Sequence, residues 1–254
     1  MTFDFKNKTV LVTGSSRGIG YSIGKLFAKS GAQVAIHYNK DKVSAEKLFN
    51  ELEGNGHIIV QADLADTQAA ELLVEKTIKY FGRIDILVNN AGIYEEHPID
   101  EVSLDEWKDA WQKTIDINLH SPAVISFCAA KYMEQNGGGR IINITSRGAF
   151  RGEPRTAAYG ASKAGLNSMS QSMAVALAPK NIFVYAIAPG YVETDMTTEI
   201  LDRPDGDFFR NQSPLNRVAK PEELAHTVAF LASEGSEFLT GGIVDVNGAS
   251  YLRS

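Results

Sequence analysis

The chain has a single cysteine, Cys128, among 254 residues. One thiol excludes an internal disulfide, and its surroundings, "VISFCAAKYM", hold no metal-ligand spacing. Cys128 is expected to be a small buried hydrophobe rather than a reactive group. Excess positive charge is also lacking: 25 Lys and Arg stand against 31 Asp and Glu, a net charge of −6. Phosphate backbones demand clustered cations, so no nucleic-acid partner is expected. No run approaches the ~18 apolar residues of a membrane span. The first residues, "MTFDFKNKTV", do not resemble a secretory signal. The expectation is no membrane partner and a cytoplasmic location. None of His37, His57, His97, His120 and His226 pairs with Cys, Asp or Glu at metal-ligand spacing, so no metal is expected.

What is present is an ordinary globular composition, 44% apolar and 22% charged, which is enough for a sizeable core. Short β-branched runs alternate with longer helical patterns. "KTVLVTG", "AQVAIHY", "HIIVQAD", "IDILVNN", "RIINITS", "IFVYAIAPG" and "GGIVDVNG" read as strands. Helices are expected from Ile19 to Gly31, from Asp41 to about Glu53, over 67–81, within 103–135, through the segment around Tyr159, and over 221–233. The strands are continuously rather than alternately apolar, so both faces are covered. That implies a parallel α/β sheet, doubly wound, in one domain spanning 1–254.

The first strand runs into "TGSSRGIG". Gly14, Gly18 and Gly20 fall where strand turns into helix, and glycine there lets backbone approach a pyrophosphate held on the helix N-terminus. A ribose-binding acid belongs about 20 residues further on. It is missing: His37, Tyr38, Asn39 and Lys40 fill the place. With Arg17 and Lys40 nearby, the charge pattern favours NADP(H) over NAD(H). Asp41 is either the displaced acid or, better, an N-cap for the next helix. Asp63, at the end of the third strand and followed by Leu64, either accepts from an adenine amino group or caps the helix after it. "NNAG" closes the fourth strand with small residues, Asn90, Ala91 and Gly92, suited to close passage beside a cofactor or to a plain turn.

In "AAYGASKAG", Tyr159 and Lys163 lie one helical turn apart among small residues. A free phenol titrates near ~10, and bringing it towards ~7 needs roughly 4 kcal/mol of preferential stabilisation. A neighbouring ammonium favours the phenolate, so Lys163 is expected to lower the pKa of Tyr159. Ser146 ends "RIINITS" at the carboxyl edge of a strand, where its hydroxyl can hold a carbonyl oxygen.

"TGSSRGIG", "NNAG", Ser146, "YGASK" and "APGYVETDM" together resemble the short-chain dehydrogenase/reductase family, in order and spacing, over residues 6 to 250. The resemblance implies a single Rossmann-type domain with a seven-stranded parallel sheet. It implies catalytic roles for Asn118, Ser146, Tyr159 and Lys163, with Asn118 bonding a water that links Lys163 to solvent. From the residues alone, Asn118 in "TIDINLHS" reads as a solvated helix position. The resemblance further implies that Ser16, Arg17 and Ile19 join the glycines at the cofactor. Pro189 and Gly190 would form the wall beside the nicotinamide, and Val192 and Thr194 would meet its carboxamide. The stretch from about 194 to 217 reads as a mobile, loop-rich lid.

The expected activity is hydride transfer between a nicotinamide cofactor and a ketone or secondary alcohol. The pattern is most similar to 3-oxoacyl-acyl-carrier-protein reductases, which implies an acyl thioester as substrate and a homotetramer as the assembly. The apolar segment 121–133 and the C-terminal tail are the candidate interfaces. Lys131 could meet an acidic carrier, but Val175 and Ala176 stand where such enzymes carry a basic–acidic pair. Sugar and polyol dehydrogenases share the framework. A cofactor-sensing regulator without turnover is the alternative of another class, although such proteins usually lose the Tyr or Lys that this chain keeps.

Overall fold

In a computed structural model, which describes residues 2–204 and 206–253, seven strands form one all-parallel sheet in the order β3-β2-β1-β4-β5-β6-β7. They are β1 (Thr9–Val12), β2 (Gln33–Tyr38), β3 (Ile58–Gln61), β4 (Ile86–Asn89), β5 (Gly139–Ile144), β6 (Ile182–Pro189) and β7 (Ile243–Val246). The helices are α1 (Gly18–Lys29), α2 (Lys42–Glu51), α3 (Thr67–Phe81), α4 (Leu104–Ile115), α5 (Ser121–Gln135), α6 (Ala157–Leu177), α7 (Asp195–Leu201), α8 (Gly206–Arg210) and α9 (Pro221–Ala232).

The strands are apolar throughout because each serves two cores. In β1, Val10 and Val12 pack with Phe27 of α1, Leu48 of α2 and Val228 of α9. Leu11 points the other way, into the layer of Leu73 from α3 and Ile125 and Met133 from α5. Each fully buried side chain of this size contributes about 1.5–3 kcal/mol. The parallel order reverses at β1, which pairs with β2 on one side and β4 on the other. Loops leaving the carboxyl ends of β1 and β4 therefore part in opposite directions and open a crevice between them.

Several expectations are corrected. Cys128 is half-buried at the edge of the core rather than sealed inside it. Within 103–135, a π-helical turn at Asp116–His120 separates α4 from α5. The stretch from 194 to 217 is less loop-like than its Pro, Gly and Asp content implies, since it carries α7 and α8. Asp41 caps α2 by accepting from the Ser44 amide at 2.9 Å, the better of its two readings. Asp63 does not cap α3; Asp66 does, through Gln68 N at 2.9 Å. No helix among the described residues is long and apolar enough to cross a membrane. Among the same residues, no cluster of His, Cys, Asp and Glu could hold a metal.

Candidate active site

A cleft of about 640 Å³ lies at the carboxyl edge of the sheet over the β1/β4 switch point. Its outer end is built from backbone. Gly14 has φ +62, and a Cβ there would lie 2.8 Å from Ala91 Cα. A Cβ on Gly20 would lie 2.4 Å from the Gly14 carbonyl oxygen and 2.6 Å from Asn90 Nδ2. Only hydrogen fits at either position, so the turn closes tightly and the first turn of α1 opens its unpaired amides towards the cleft. Asn90 fastens the two loops together, donating to the carbonyls of Thr13 at 2.9 Å and Gly14 at 3.0 Å. Gly14, Ser16, Arg17, Gly18 and Ile19 line this end, with Asn90, Ala91 and Gly92 alongside. Gly20 stands one layer behind them.

His37 holds this turn from beneath. Its Nδ1 accepts from the Gly14 amide at 2.9 Å, and its Nε2 donates to the Ala62 carbonyl at 3.1 Å. Its backbone pairs with Ser15: Ser15 N donates to His37 O at 3.0 Å, and His37 N donates to Ser15 Oγ at 3.0 Å. Burial pushes the His37 imidazole down to about 4, so the neutral form that this network requires is kept. Sequence reasoning noted His37 only as a non-acid; nothing in the residue pattern signals the bond to Gly14.

Tyr38, Asn39 and Lys40 line the cleft where β2 ends, as do Asp63 and Leu64 beyond β3. Asn39 Nδ2 donates to Asp63 Oδ1 at 3.2 Å, which ties the two strand ends. Arg17 lies at the mouth, 3.9 Å from Asp195 across the cleft, with both side chains largely in solvent. At that exposure the pair is worth little.

At the inner end Ser146, Tyr159 and Lys163 converge from β5 and α6. Lys163 is buried, and its Nζ donates to the Ile144 carbonyl at 2.9 Å. The ammonium lies 5.8 Å from the centre of the Tyr159 ring. Asn118 is fully buried in the π-helical turn, not solvated. Its Oδ1 accepts from Ile93 N at 2.8 Å, and its Nδ2 donates to Ile93 O at 3.0 Å. Asn118 therefore stands behind the cleft wall and fixes the loop after β4. Asn118 Oδ1 and Lys163 Nζ nevertheless come within 3.2 and 3.3 Å of one point, where a Cβ on Gly92 would sit. On the far wall, Pro189 ends β6 and Gly190 N donates to Val246 O at 3.1 Å. Val192 is buried, and Thr194 packs over Gly18, its Cγ2 3.2 Å from where a Cβ on that glycine would sit.

The expected pKa shift of the phenol is overturned. Burial pushes Tyr159 up to about 12, against a smaller downward pull from the Ser146 hydroxyl. Lys163 is itself pushed down to about 8 by burial. Loss of hydration of the phenolate is the largest cause of the shift. The phenol is thus firmly protonated at neutral pH, the state required of a proton donor.

Sequence reasoning missed the substrate side of the cleft. Tyr94 meets the Tyr159 ring edge-on at 5.0 Å. Arg147 is buried, its Nη1 2.6 Å from Ser250 Oγ and its Nη2 2.6 Å from Gln212 Oε1 in the 194–217 segment. It stacks on Tyr191 with 4.7 Å from guanidinium to ring centre. Glu153 lines the same end, with Arg151 Nε at 3.7 Å, and its charge adds to the upward push on Tyr94, Tyr159 and Tyr191. None belongs to a spaced motif. The one usable signal was the density of charge in "RGAFRGEPR" directly after Ser146.

A glycine turn at the switch point of a parallel sheet, with a Ser, a Tyr and a Lys converging further in, defines a dinucleotide-dependent oxidoreductase. Comparison with known proteins agrees. The sequence model of a family described as enoyl-(acyl carrier protein) reductase matches residues 14–249. A 3-oxoacyl-[acyl-carrier-protein] reductase of Synechocystis sp. is 36% identical over 248 residues, covering 96% of this chain and 97% of that protein. A short-chain dehydrogenase from Burkholderia cenocepacia, solved in complex with NADP, is 34% identical with a TM-score of 0.89, covering 97% of this chain and 98% of that one. A short-chain dehydrogenase/reductase described as glucose/ribitol dehydrogenase, from Brucella melitensis, is 34% identical with a TM-score of 0.90, each chain covered in full at 100%. The chain belongs to the short-chain dehydrogenase/reductase family and is an NAD(P)-dependent oxidoreductase.

Proposed function

We propose that the protein reduces a ketone to a secondary alcohol with NADPH, Tyr159 giving the proton. The observation that carries this reading is the half-buried phenol of Tyr159, which faces the cleft with Ser146, one helical turn from the buried Lys163, at the inner end of a cleft whose turn admits no side chain at Gly14 or Gly20. The tight glycine turn and the open amides of α1 fit a pyrophosphate. Tyr38, Asn39 and Lys40 would take the adenosine ribose, and Asp63 and Leu64 the adenine. Arg17 and Lys40 would meet a 2′-phosphate, which favours NADPH over NADH. Lys163 would hold the nicotinamide ribose with the N–H groups left beyond Ile144. Pro189, Gly190, Val192 and Thr194 would flank the ring, which supplies the hydride when bound. Ser146 would hold the substrate oxygen while Tyr159 protonates it as negative charge develops. Asn118 would keep the loop of Ile93 in place beside Lys163 and order the water that serves it. Residues 194–217 would close over the substrate as a lid.

The first substrate class to test is a 3-oxoacyl thioester, by analogy with the relative from Synechocystis. Val175 on α6 is exposed where a carrier-binding cation would help, so free thioesters should serve nearly as well as carrier-bound ones. Glu153 favours a second reading. A carboxylate in the substrate end accepts from hydroxyl groups, which suits a polyol or sugar. We place the working enzyme in the cytoplasm as a homotetramer, with the exposed Phe127 of α5 and Phe238 and Leu252 near the C-terminus as support for interfaces.

The test is oxidation of NADPH and NADH with acetoacetyl thioester, crotonyl thioester, simple ketones and ketoses. Ketone reduction without reduction of the crotonyl double bond is expected. Reduction of the crotonyl substrate alone would contradict the carbonyl reading, and turnover of no substrate would return the regulator to first place.

A further inference from the structure

The catalytic helix α6 starts without a cap of its own. Thr156 stands at the N-cap position, yet its side chain receives no hydrogen bond from the first turn. First-turn amides need acceptors from elsewhere. Ala158, the second residue of α6, finds one in His97: its N–H donates to Nε2 at 3.1 Å, across 61 residues of sequence. His97 is 2% exposed. Its Nδ1 donates to the Glu95 carbonyl at 2.8 Å, so a single neutral tautomer satisfies both contacts.

The loop that bears His97 is bound to the same helix start by several further contacts. His97 N donates to the Arg155 carbonyl at 2.8 Å. The Arg155 guanidinium returns to the loop, with Nε 2.7 Å from Glu96 and Nη1 2.7 Å from Glu101. Trp107 of α4 backs the imidazole edge-on at 6.4 Å. Tyr94, three residues before His97, meets the Tyr159 ring at 5.0 Å. The loop after β4 and the first turn of α6 are thus clamped together, and Tyr159 is the residue after the amide that His97 holds.

We propose that His97 is a positioning residue: its imidazole supplies the missing cap of α6 and thereby fixes the Tyr159 hydroxyl against Ser146. The proposal rests on Tyr159 being the proton donor, and one of its readouts needs no activity at all. A misplacement of about 1 Å at a reacting group costs up to ~100-fold in rate. Lys163 lies a full turn deeper in α6, and the glycine turn is remote, so cofactor and substrate binding should be spared.

The test compares wild type with His97→Ala and His97→Gln. We expect His97→Ala to lower kcat by roughly tenfold or more while KM and cofactor Kd stay within about threefold. His97→Gln offers an amide oxygen to Ala158 and should recover kcat to within about threefold of wild type. In wild type, hydrogen exchange at the Ala158 amide should be as slow as in the middle of α6, unlike an uncapped second position. Should His97→Ala fail to fold, the exchange rate and His97→Gln decide the matter alone. The proposal is overturned if His97→Ala keeps its kcat, if the Gln variant is no better than Ala, if the loss falls equally on KM and cofactor Kd, or if Ala158 exchanges rapidly in wild type.

Discussion

The glycine turn at the outer end of the cleft is made of backbone and short side chains, and the substrate end of long polar ones. At the outer end an added atom collides with main chain: a Cβ on Gly20 would fall 2.4 Å from the Gly14 carbonyl oxygen, well inside contact distance. At the substrate end the walls are Arg147, Glu153, Tyr94 and Tyr191, on loops and turns. Arg147 joins the turn after Ser146 to Gln212 in the 194–217 segment and to Ser250 near the C-terminus. A nucleotide is the same in every protein that binds it, so a rigid backbone cradle suffices. Substrates differ, and side chains on loops change without disturbing the sheet.

This contrast can be broken most sharply at Gly20. Gly20→Ala should weaken cofactor binding by roughly 100-fold or more, about 2.7 kcal/mol, because both loops must part to admit the methyl group. A calorimetric or fluorescence titration checks it, and ordinary affinity would show the cradle to be pliable. His37 offers an effect of similar size. Its pKa falls to about 4 in the fold from 6.5 for a free imidazole. A depressed folded pKa gives stability that is present above about 6.5 and lost as pH falls through about 4, some 3 kcal/mol in all. Melting temperature followed from pH 7 to pH 4 (roughly the window that these values define) should fall in wild type and fall less in His37→Gln.

At the inner end, Lys163 loses its charge above about 8. If the ammonium holds the cofactor ribose, kcat/KM should decline as pH rises through that value, with the slope of one proton. A flat alkaline limb would remove Lys163 from cofactor binding. The smallest expected effect concerns cofactor choice. A charge-assisted contact to phosphate is worth about 1.5–3 kcal/mol, so Lys40→Ala should cost about tenfold in NADPH affinity and leave NADH nearly unchanged. Tyr38→Asp should lower the same ratio by placing a negative charge beside the 2′-phosphate. An unchanged ratio in both variants would return attention to Asp41, whose carboxylate is engaged with Ser44.

The same contrast explains how much was legible in the sequence. The sheet could be read because buried parallel strands must be apolar on both faces, as Val10, Leu11 and Val12 are. The glycine turn could be read because sterics leave one residue type possible at Gly14 and Gly20. Ser146, Tyr159 and Lys163 could be read because their order along strand and helix is fixed by the chemistry they share. Roles that depend on contacts between distant segments left no trace in spacing. His37 under Gly14, His97 on Ala158 and Arg147 with Ser250 each join residues far apart in sequence. The direction of the Tyr159 shift was misread for a related reason: four-residue spacing shows that an ammonium is near, but not how completely the phenol is removed from water.

The central claim is that Tyr159 gives the proton, and turnover in Tyr159→Phe tests it most directly. The substitution removes one oxygen and leaves the ring packed against Tyr94. General acid catalysis is worth about 100- to 10,000-fold, so kcat on any ketone that the wild type reduces should fall by at least about 100-fold. NADPH affinity, measured by titration on the same preparation, should stay within about threefold of wild type. A Tyr159→Phe variant that binds NADPH normally and keeps near wild-type kcat would contradict the account.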